Sequence, residues 1–540
     1  MRLYTCFVDL KKAFDTVQRD LLLHKIVNLG ISGPFFDVLS NMYQNSQAKI
    51  KIANMLSPNI KIERGTEQGH PLSPDLFKIF ILELSSLLRK IGNYPILAEI
   101  NLSHLLWADD LVLFALSASA LQENINILAK FCQKMGLEIN TKKTNIVTFC
   151  PNRLKPLYET FLLDGKPIIH SEKYCYLGII FHQNGSFSMA NNELRAKALR
   201  AFFGLKGKII KDSLSHKAKN ILFDTLIKSI LLYGCQVLGP HSKTIKYLYK
   251  LTDQSDPTNA LKYIAQDHYE KFHLKFIKWC LSLHSKASNI GCWGESGRYP
   301  LFYEACKLSI DFFMRIKNMH DNSENNILAA AFSEQKSLSL PWYSNLINII
   351  QKYDQPIGNQ KHKRMSVHIA QKMRDEFVNL WKLSKQSSPK LEFYDKVKQT
   401  FQIEKYLSVI KNPKIRQTFT RYRISAHNLY IERGRYENPL VPREKRWCIF
   451  CYDTKKVKMI EDEIHVLFNC PMFEKTKIKN GFNLECMSSL VDLLNNSQNS
   501  TEKLIATCKT IHEILSINES YTSYYKTQDF HDKTGRCIVL

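Results

Sequence analysis

Leu106-Trp107-Ala108-Asp109-Asp110-Leu111-Val112-Leu113-Phe114 places two adjacent acids between two apolar runs, each of which reads as a buried strand. A strand, a turn at the acids and a second strand make a hairpin whose tip holds two negative charges against an apolar body. That is unfavourable unless cations neutralise the pair, and magnesium is the usual partner of paired oxygen ligands. A solvated Asp-Asp turn is the other reading of the same stretch. What lies on either side decides between them.

Upstream, residues 3–10, Leu-Tyr-Thr-Cys-Phe-Val-Asp-Leu, read as a buried strand with Asp9 near its carboxyl end. A chain that begins inside a core strand is expected to be the remainder of a longer gene product. Leu21, Leu22, Ile26 and Leu29 predict a helix ended by Gly30, and Ser32-Gly33-Pro34 opens another that runs to about Tyr43. Residues 47–64 alternate as a hairpin does, on either side of Asn54 to Pro58. In Gly65-Thr66-Glu67-Gln68-Gly69-His70-Pro71-Leu72-Ser73-Pro74 two glycines let backbone approach a ligand closely, and Ser73-Pro74 starts a helix over Asp75 to about Arg89. A plain connection is the bland reading of that loop.

Downstream, Leu121, Ile125, Leu128, Ala129 and Cys132 mark a helix ended by Gly136. Leu137-Glu138-Ile139-Asn140 and Ile146-Val147-Thr148-Phe149 predict short strands flanking the polar turn Thr141-Lys142-Lys143-Thr144, and a hairpin follows near residues 174–181. From Glu193 to Lys219 the pattern is helical and basic, with Arg195, Lys197, Arg200, Lys206, Lys208, Lys211, Lys217 and Lys219 against the single acid Asp212. Such a run is a solvated face, or, with Phe202 and Phe203 interleaved, a track for a phosphate backbone. Gly291-Cys292-Trp293-Gly294-Glu295-Ser296-Gly297-Arg298-Tyr299-Pro300-Leu301 reads as a dense turn between helices.

The 540 residues suffice for several cores, and the balance of 75 Lys+Arg against 50 Asp+Glu, a net +25, favours a polyanionic partner. No run of about 18 apolar residues marks a membrane span, and Asp224 and Lys228 interrupt the most apolar candidate helix. Fourteen scattered Cys in a basic chain of this size suit a reducing, intracellular compartment, nucleus or cytoplasm, better than a disulfide framework.

A strand bearing Asp9, a Gln-Gly loop and an Asp-Asp hairpin, in that order, are the parts of two-metal phosphoryl transfer, which takes acids from neighbouring strands to hold two magnesium ions about 4 Å apart. Residues 1 to about 235 resemble the reverse transcriptases of non-LTR (LINE-type) retrotransposons. Phe7-Val8-Asp9-Leu10-Lys11-Lys12-Ala13-Phe14-Asp15 looks like motif A, Gln68-Gly69-His70-Pro71-Leu72-Ser73-Pro74 like motif B and Ala108-Asp109-Asp110 like motif C. Gly136-Leu137-Glu138-Ile139-Asn140 with Lys142 and Lys143 is similar to motif D, and Tyr176-Leu177-Gly178 to the primer grip of motif E. The resemblance implies Asp9, Asp109 and Asp110 as catalytic magnesium ligands, Phe14 as the gate against a ribose 2′-hydroxyl, and Gln68 and Gly69 along nucleotide and template. It also implies Lys142 and Lys143 near the triphosphate, with an RNA template, a DNA primer or target and dNTP as partners. Trp107 replaces the family's usual Tyr or Phe, and His70 its small residue or Cys. The family's fingers and upstream endonuclease have no counterpart in these residues, so the chain alone is expected to be a poor polymerase. A catalytically inactive nucleic-acid-binding remnant is the alternative.

Towards the carboxyl end, Cys448, Cys451, His465 and Cys470 have a Cys-x2-Cys-x13-His-x4-Cys spacing that fits structural zinc. It is similar to the Cys/His knuckle at the carboxyl end of many such retrotransposon proteins. Arg421, Arg423, His427, Arg433, Arg435, Arg443, Lys445 and Arg446, with Tyr422, Tyr430 and Tyr436 between them, read as a basic approach to single-stranded nucleic acid. The expected fold is α+β: a polymerase palm with a ferredoxin-like sheet over residues 1–185 and thumb-like basic helices over 186–250. A linker at 251–260, a helical region over 261–440 and a zinc-knuckle region over 441–540 complete it.

Overall fold

The computed structural model describes residues 2–67, 69–150, 158–208, 214–239, 242–249, 257–319, 326–353, 363–495 and 500–529. Gln68, Lys211, Asp212 and residues 251–256 lie outside them, so the expectations placed there have no structural counterpart. The chain divides into two compact units, Met1–Glu193 with Ile316–Leu338, and Leu194–Arg315 with Ser339–Leu540.

The first unit is built on the strand Leu3–Val8, which pairs antiparallel with Asp110–Ala115 on one side and with Asn145–Phe149 on the other. His104–Trp107 extends the sheet beyond Asp110–Ala115, and Ile169–His170 runs parallel to Asn145–Phe149 at the other edge. The four longer strands thus lie in the order fourth, first, third, second, with helices Ser73–Leu88 and Ala118–Met135 in the two crossovers. This is the split βαβ arrangement. The strand's period of two explains its burial. Tyr4, Cys6 and Val8 face the core with Leu22, Ile26, Phe77, Phe80, Leu121 and Leu128. Phe7 faces the opposite side, with Val112 and Val147, beneath Tyr174 and Tyr176 of the hairpin Lys173–Tyr176 and Ile179–His182.

Several local expectations need correction. Leu137–Asn140 forms no strand; it contributes the isolated bridge between Leu10 and Ile139, because the chain turns back at once through residues 141–144. Pro257–Ala260, expected in a linker, begin the helix Pro257–Gln266, where Ala260 is fully buried. Residues 291–296 are helical and not a turn. The helix Asn289–Ser296 is capped by Ser288 Oγ, and its glycines let neighbours press in: a Cβ on Gly294 would lie 2.7 Å from the Trp381 ring.

The basic approach at 421–446 is divided: Tyr422, Arg423, His427, Tyr430 and Arg446 are buried, Arg421, Arg433 and Arg435 are half-buried, and Tyr436, Arg443 and Lys445 are exposed. Arg423 is 1% exposed, and its Nε and Nη2 donate to Glu295 at 3.0–3.1 Å while Nη2 also meets Glu404 Oε1 at 3.1 Å. Arg446 gives its guanidinium to the carbonyls of Val441 and Ile431 at 2.7–2.9 Å, and His427 meets Glu463 at 2.9 Å. Arg443, which is exposed, pairs with Glu392. Local charge density in a sequence does not reveal a partner such as Glu295, 128 residues from Arg423. Arg423→Met leaves the Glu295 carboxylate buried without its guanidinium, with the Tyr406 hydroxyl as donor, so it is expected to cost about 3–5 kcal/mol, read as a lowered urea midpoint.

The run from Glu193 to Lys219 is likewise divided. Arg195 and Arg200 are exposed, but Phe202 is buried among Phe272, Phe276 and Trp279, and Lys219 is buried with its ammonium over the Trp279 ring. No helix among the described residues is long and apolar enough to cross a membrane.

Candidate active site and metal centre

The acid hairpin is present: His104–Trp107 and Asp110–Ala115 close on the pair Trp107 and Asp110, leaving Ala108 and Asp109 as the turn. Ala108 adopts φ 54°, a left-handed conformation that costs a non-glycine residue about 1–2 kcal/mol. Trp107 is 69% exposed, so the turn accepts the large ring without repacking.

Register brings Asp9 to this turn. Val8 stands opposite Leu111, so the next residue, Asp9, comes level with Asp110 on the face that carries Phe7 and Val112. Burial, then the charges of Asp109 and Asp9, hold the Asp110 carboxyl above its ordinary range. The hydroxyls of Tyr174 and Tyr176 are pushed up to about 12, first by burial and then by nearby acids, Asp9 and Asp110 for Tyr174 and Asp110 for Tyr176. Three acids therefore share one field at the end of the sheet.

The loop at 137–144 fixes Asp9, a role that sequence reasoning did not assign to Asn140 or Thr144. Asn140 Nδ2 donates to Asp9 Oδ2 at 2.9 Å, Asn140 N donates to the Asp9 carbonyl at 2.8 Å, and Asp9 N donates to Thr144 Oγ1 at 3.3 Å. Lys143 Nζ lies 3.9 Å from Asp9 Oδ1, while Lys142 is exposed, with its backbone N–H on Asn140 Oδ1. The Asn140 signal was available as an amide six residues before the buried strand residue Ile146, but only tertiary pairing shows where it points.

Phe14 stacks on Phe77 with ring centroids 4.7 Å apart. Beside it, Thr66 N donates to the Phe14 carbonyl at 2.9 Å, and a Cβ on Gly65 would lie 2.9 Å from the Asp15 carbonyl oxygen. Gly65 is therefore small for the chain's own backbone and not for a ligand. Gly69, at φ 85°, has open space around it. Buried Arg19, another residue missed in the sequence, ties this loop down by donating to the carbonyls of Gly65 at 3.0 Å and Tyr43 at 2.7 Å.

In the second unit Cys448, Cys451, His465 and Cys470 come together, all buried, with their ligand atoms within 4.8 Å of one another. Cys470 Sγ lies 3.9 Å from Cys448 Sγ and 3.8 Å from Cys451 Sγ, and Cys451 Sγ lies 3.4 Å from His465 Nε2. These separations are too long for disulfides, whose sulfurs sit about 2.0 Å apart. They match the edge of a tetrahedron with metal–sulfur bonds of about 2.3 Å, which is about 3.8 Å. The first pair sits at the start of helix Ile449–Lys455, and His465 opens a single wide turn, His465–Asn469, that ends at Cys470.

Residues 2–181 match the family model described as reverse transcriptase (RNA-dependent DNA polymerase). The chain is 27% identical over 197 residues to the Pol polyprotein of the type-1 retrotransposable element R2 of Bradysia coprophila, a match covering 34% of this chain and 22% of that one. It is 26% identical over 246 residues to the probable RNA-directed DNA polymerase from transposon BS of Drosophila melanogaster, covering 44% of this chain and 26% of that one. Telomerase of Candida tropicalis, solved with a fragment of telomeric RNA, aligns over 63% of this chain and 50% of its own at 12% identity, but its TM-score of 0.29 is too low to carry an argument. Residues 2–181 are thus a reverse transcriptase domain. Its relatives include RNA-directed DNA polymerases and Pol polyproteins of non-LTR retrotransposons. The chain spans about a quarter of the length of these relatives.

Proposed function

We propose that this chain performs RNA-directed DNA synthesis for a non-LTR retrotransposon, with the first unit's sheet as the polymerase palm and Asp9, Asp109 and Asp110 as ligands of two magnesium ions. The observation that carries the reading is the strand register, which sets Asp9 beside Asp110 at one end of a buried sheet. The donors are all carboxylate oxygens, which suits magnesium. Bound there, the two ions would lower the pKa of a primer 3′-hydroxyl and neutralise charge on the leaving pyrophosphate. Asp9 and Asp110 present oxygens from neighbouring strands; Asn140 donates to Asp9 Oδ2, and Oδ1, which faces Lys143 at 3.9 Å, is the oxygen for coordination. Phe14, backed by Phe77, flanks the sugar and excludes a 2′-hydroxyl. Gln68 and Gly69 run along nucleotide and template. Lys142 and Lys143 screen the triphosphate, and one of them protonates the leaving group.

In the second unit Cys448, Cys451, His465 and Cys470 hold structural zinc as a knuckle, which cross-links the segment 448–470. RNA-templated primer extension by the full chain tests the proposal: weak, magnesium-dependent incorporation of the complementary dNTP is expected, in keeping with the poor polymerase that the sequence predicts, and its absence would count against polymerase function. Retention of all three acids, with Asp9 held by Asn140, favours this over an inactive remnant. Asn140→Ala is expected to raise the magnesium concentration for half-maximal incorporation about 10–100-fold. An unchanged magnesium dependence would remove Asn140 from the site's support.

A further inference from the structure

The loop between Gly65 and helix Ser73–Leu88 is fixed at both ends beside Phe14. Thr66 N donates to the Phe14 carbonyl at 2.9 Å, and one turn into the helix Phe77 stacks on the Phe14 ring. A loop anchored twice at one residue keeps its tip close to that residue. The tip carries His70 and Gly69, the latter left-handed at φ 85° with open space where a side chain would stand.

Backbone bonds close the tip into a turn. His70 N donates to the Glu67 carbonyl at 3.3 Å, Ser73 N to the His70 carbonyl at 3.1 Å, and Ser73 Oγ to the Glu67 carbonyl at 2.5 Å. The His70 ring takes part through one nitrogen only. Leu72 N donates to Nδ1 at 3.3 Å, and no hydrogen bond, ion pair or ring contact reaches Nε2 among the described residues. A ring nitrogen that accepts carries no hydrogen, so the bond from Leu72 fixes the tautomer that has its hydrogen on Nε2. The two nitrogens lie on diverging edges of the ring, which turns Nε2–H away from the loop's own backbone. His70 is half-buried and Nε2 is open to solvent, so the ring is held while its donor is presented.

We propose that His70 is a nucleotide-contacting residue, its Nε2–H donating to a phosphate oxygen of the incoming nucleoside triphosphate whose sugar lies against Phe14. The inference rests on the polymerase reading, which puts that sugar at the residue to which both ends of the loop are tied. Phosphate oxygens match a lone donor, and a hydrogen bond to a charged acceptor contributes more than one between neutral groups. The small residue or Cys usual at this position in the family that the sequence resembles offers no comparable donor, so the contact is this chain's own.

Two replacements separate the ring's two jobs. Asn places its amide oxygen where Nδ1 accepts and has nothing at Nε2, whereas Gln places its amide nitrogen near Nε2 and has no acceptor for Leu72. The full chain is assembled with an RNA template and a dideoxy-terminated primer, and the dNTP concentration that gives half-maximal heparin-resistant complex is measured with magnesium present. His70→Asn should raise that concentration at least about 10-fold, and His70→Gln should retain most of the parent's affinity. In primer extension His70→Asn should raise KM for dNTP and leave kcat unchanged, the mark of a contact made equally before and in the transition state. Affinity for template–primer without dNTP should be the same in all three proteins. If the parent chain forms the dNTP-dependent complex and His70→Asn matches it, this inference falls and the polymerase reading stands. The reverse order, with His70→Gln the impaired variant, would overturn it in favour of a loop-folding role, and weaker template–primer binding by His70→Asn would overturn it in favour of a template contact. A parent chain that forms no such complex would overturn both readings.

Discussion

Asp110→Asn should reduce RNA-templated nucleotide incorporation by about 10³-fold or more, equivalent to about 4 kcal/mol of transition-state stabilisation. The amide keeps the volume and the hairpin, since the turn closes through backbone pairing of residues 107 and 110. What it removes is the charge that a cation needs. That charge is already costly: burial, then Asp109 and Asp9, raise the Asp110 carboxyl. Its folded-state pKa therefore lies above the unfolded value of about 3.9, and ionisation subtracts stability as pH rises through and above that window. This is opposite in sign to a salt-bridged acid, whose contribution appears on ionisation. Bound magnesium reverses the penalty. Added magnesium should therefore raise the melting temperature of the full chain at pH 8 and have little effect near pH 4. Asp110→Asn should be at least as stable as the parent chain without magnesium, and its melting temperature should be insensitive to the ion. A variant that lost incorporation only because it unfolded would show the reverse.

Stripping metal from the Cys448–Cys451–His465–Cys470 cluster, or making Cys470→Ser, should unfold the segment that it closes. Structural zinc contributes about 10–16 kcal/mol of apparent binding energy in small domains, comparable to the whole stability of a domain, about 5–15 kcal/mol. The other anchors lie towards the far end of the segment, where Glu461 and Glu463 are hydrogen-bonded to 422–431 and Asn518 and where Val466 and Leu467 are buried, so the loss falls chiefly on 448–460. The helix Ile449–Lys455 is short, and the contacts of residues 447–448 with 459–460 comprise one isolated bridge and a 2.7 Å backbone bond from Cys448 to Met459. Without metal, four buried soft ligands face one another, and the Cys451 thiol is pushed up to about 11 by burial first. The expected readings are about one zinc per chain by mass spectrometry and rapid proteolysis at 448–470 after chelation. An unaltered digestion pattern in Cys470→Ser would exclude a structural role.

The strand at Asp9, the acid hairpin, the helices ended by Gly30 and Gly136 and the Cys/His cluster were all readable, because each rests on local periodicity, turn chemistry or ligand spacing. The support of Asp9 by Asn140 and Thr144 was not, since a 2.9 Å bond across 131 residues leaves no local pattern. Charged side chains that turn inward misled most. Arg423 and Arg446 look like nucleic-acid contacts in sequence and prove to be core staples, paired with Glu295 and with backbone carbonyls. Gly294 reads as turn chemistry and instead sits in a buried helix, where its missing side chain makes room for Trp381.

The most direct test of the polymerase reading counts metal at the acids without asking for turnover. Manganese is titrated into the full chain with a dideoxy-terminated primer, an RNA template and the next dNTP, and bound ion is read by electron paramagnetic resonance. Two bound ions are predicted in the parent chain, as two-metal transfer requires, with fewer and weaker sites in Asp110→Asn. The same number of sites at the same affinity in both proteins would contradict the assignment of Asp9, Asp109 and Asp110.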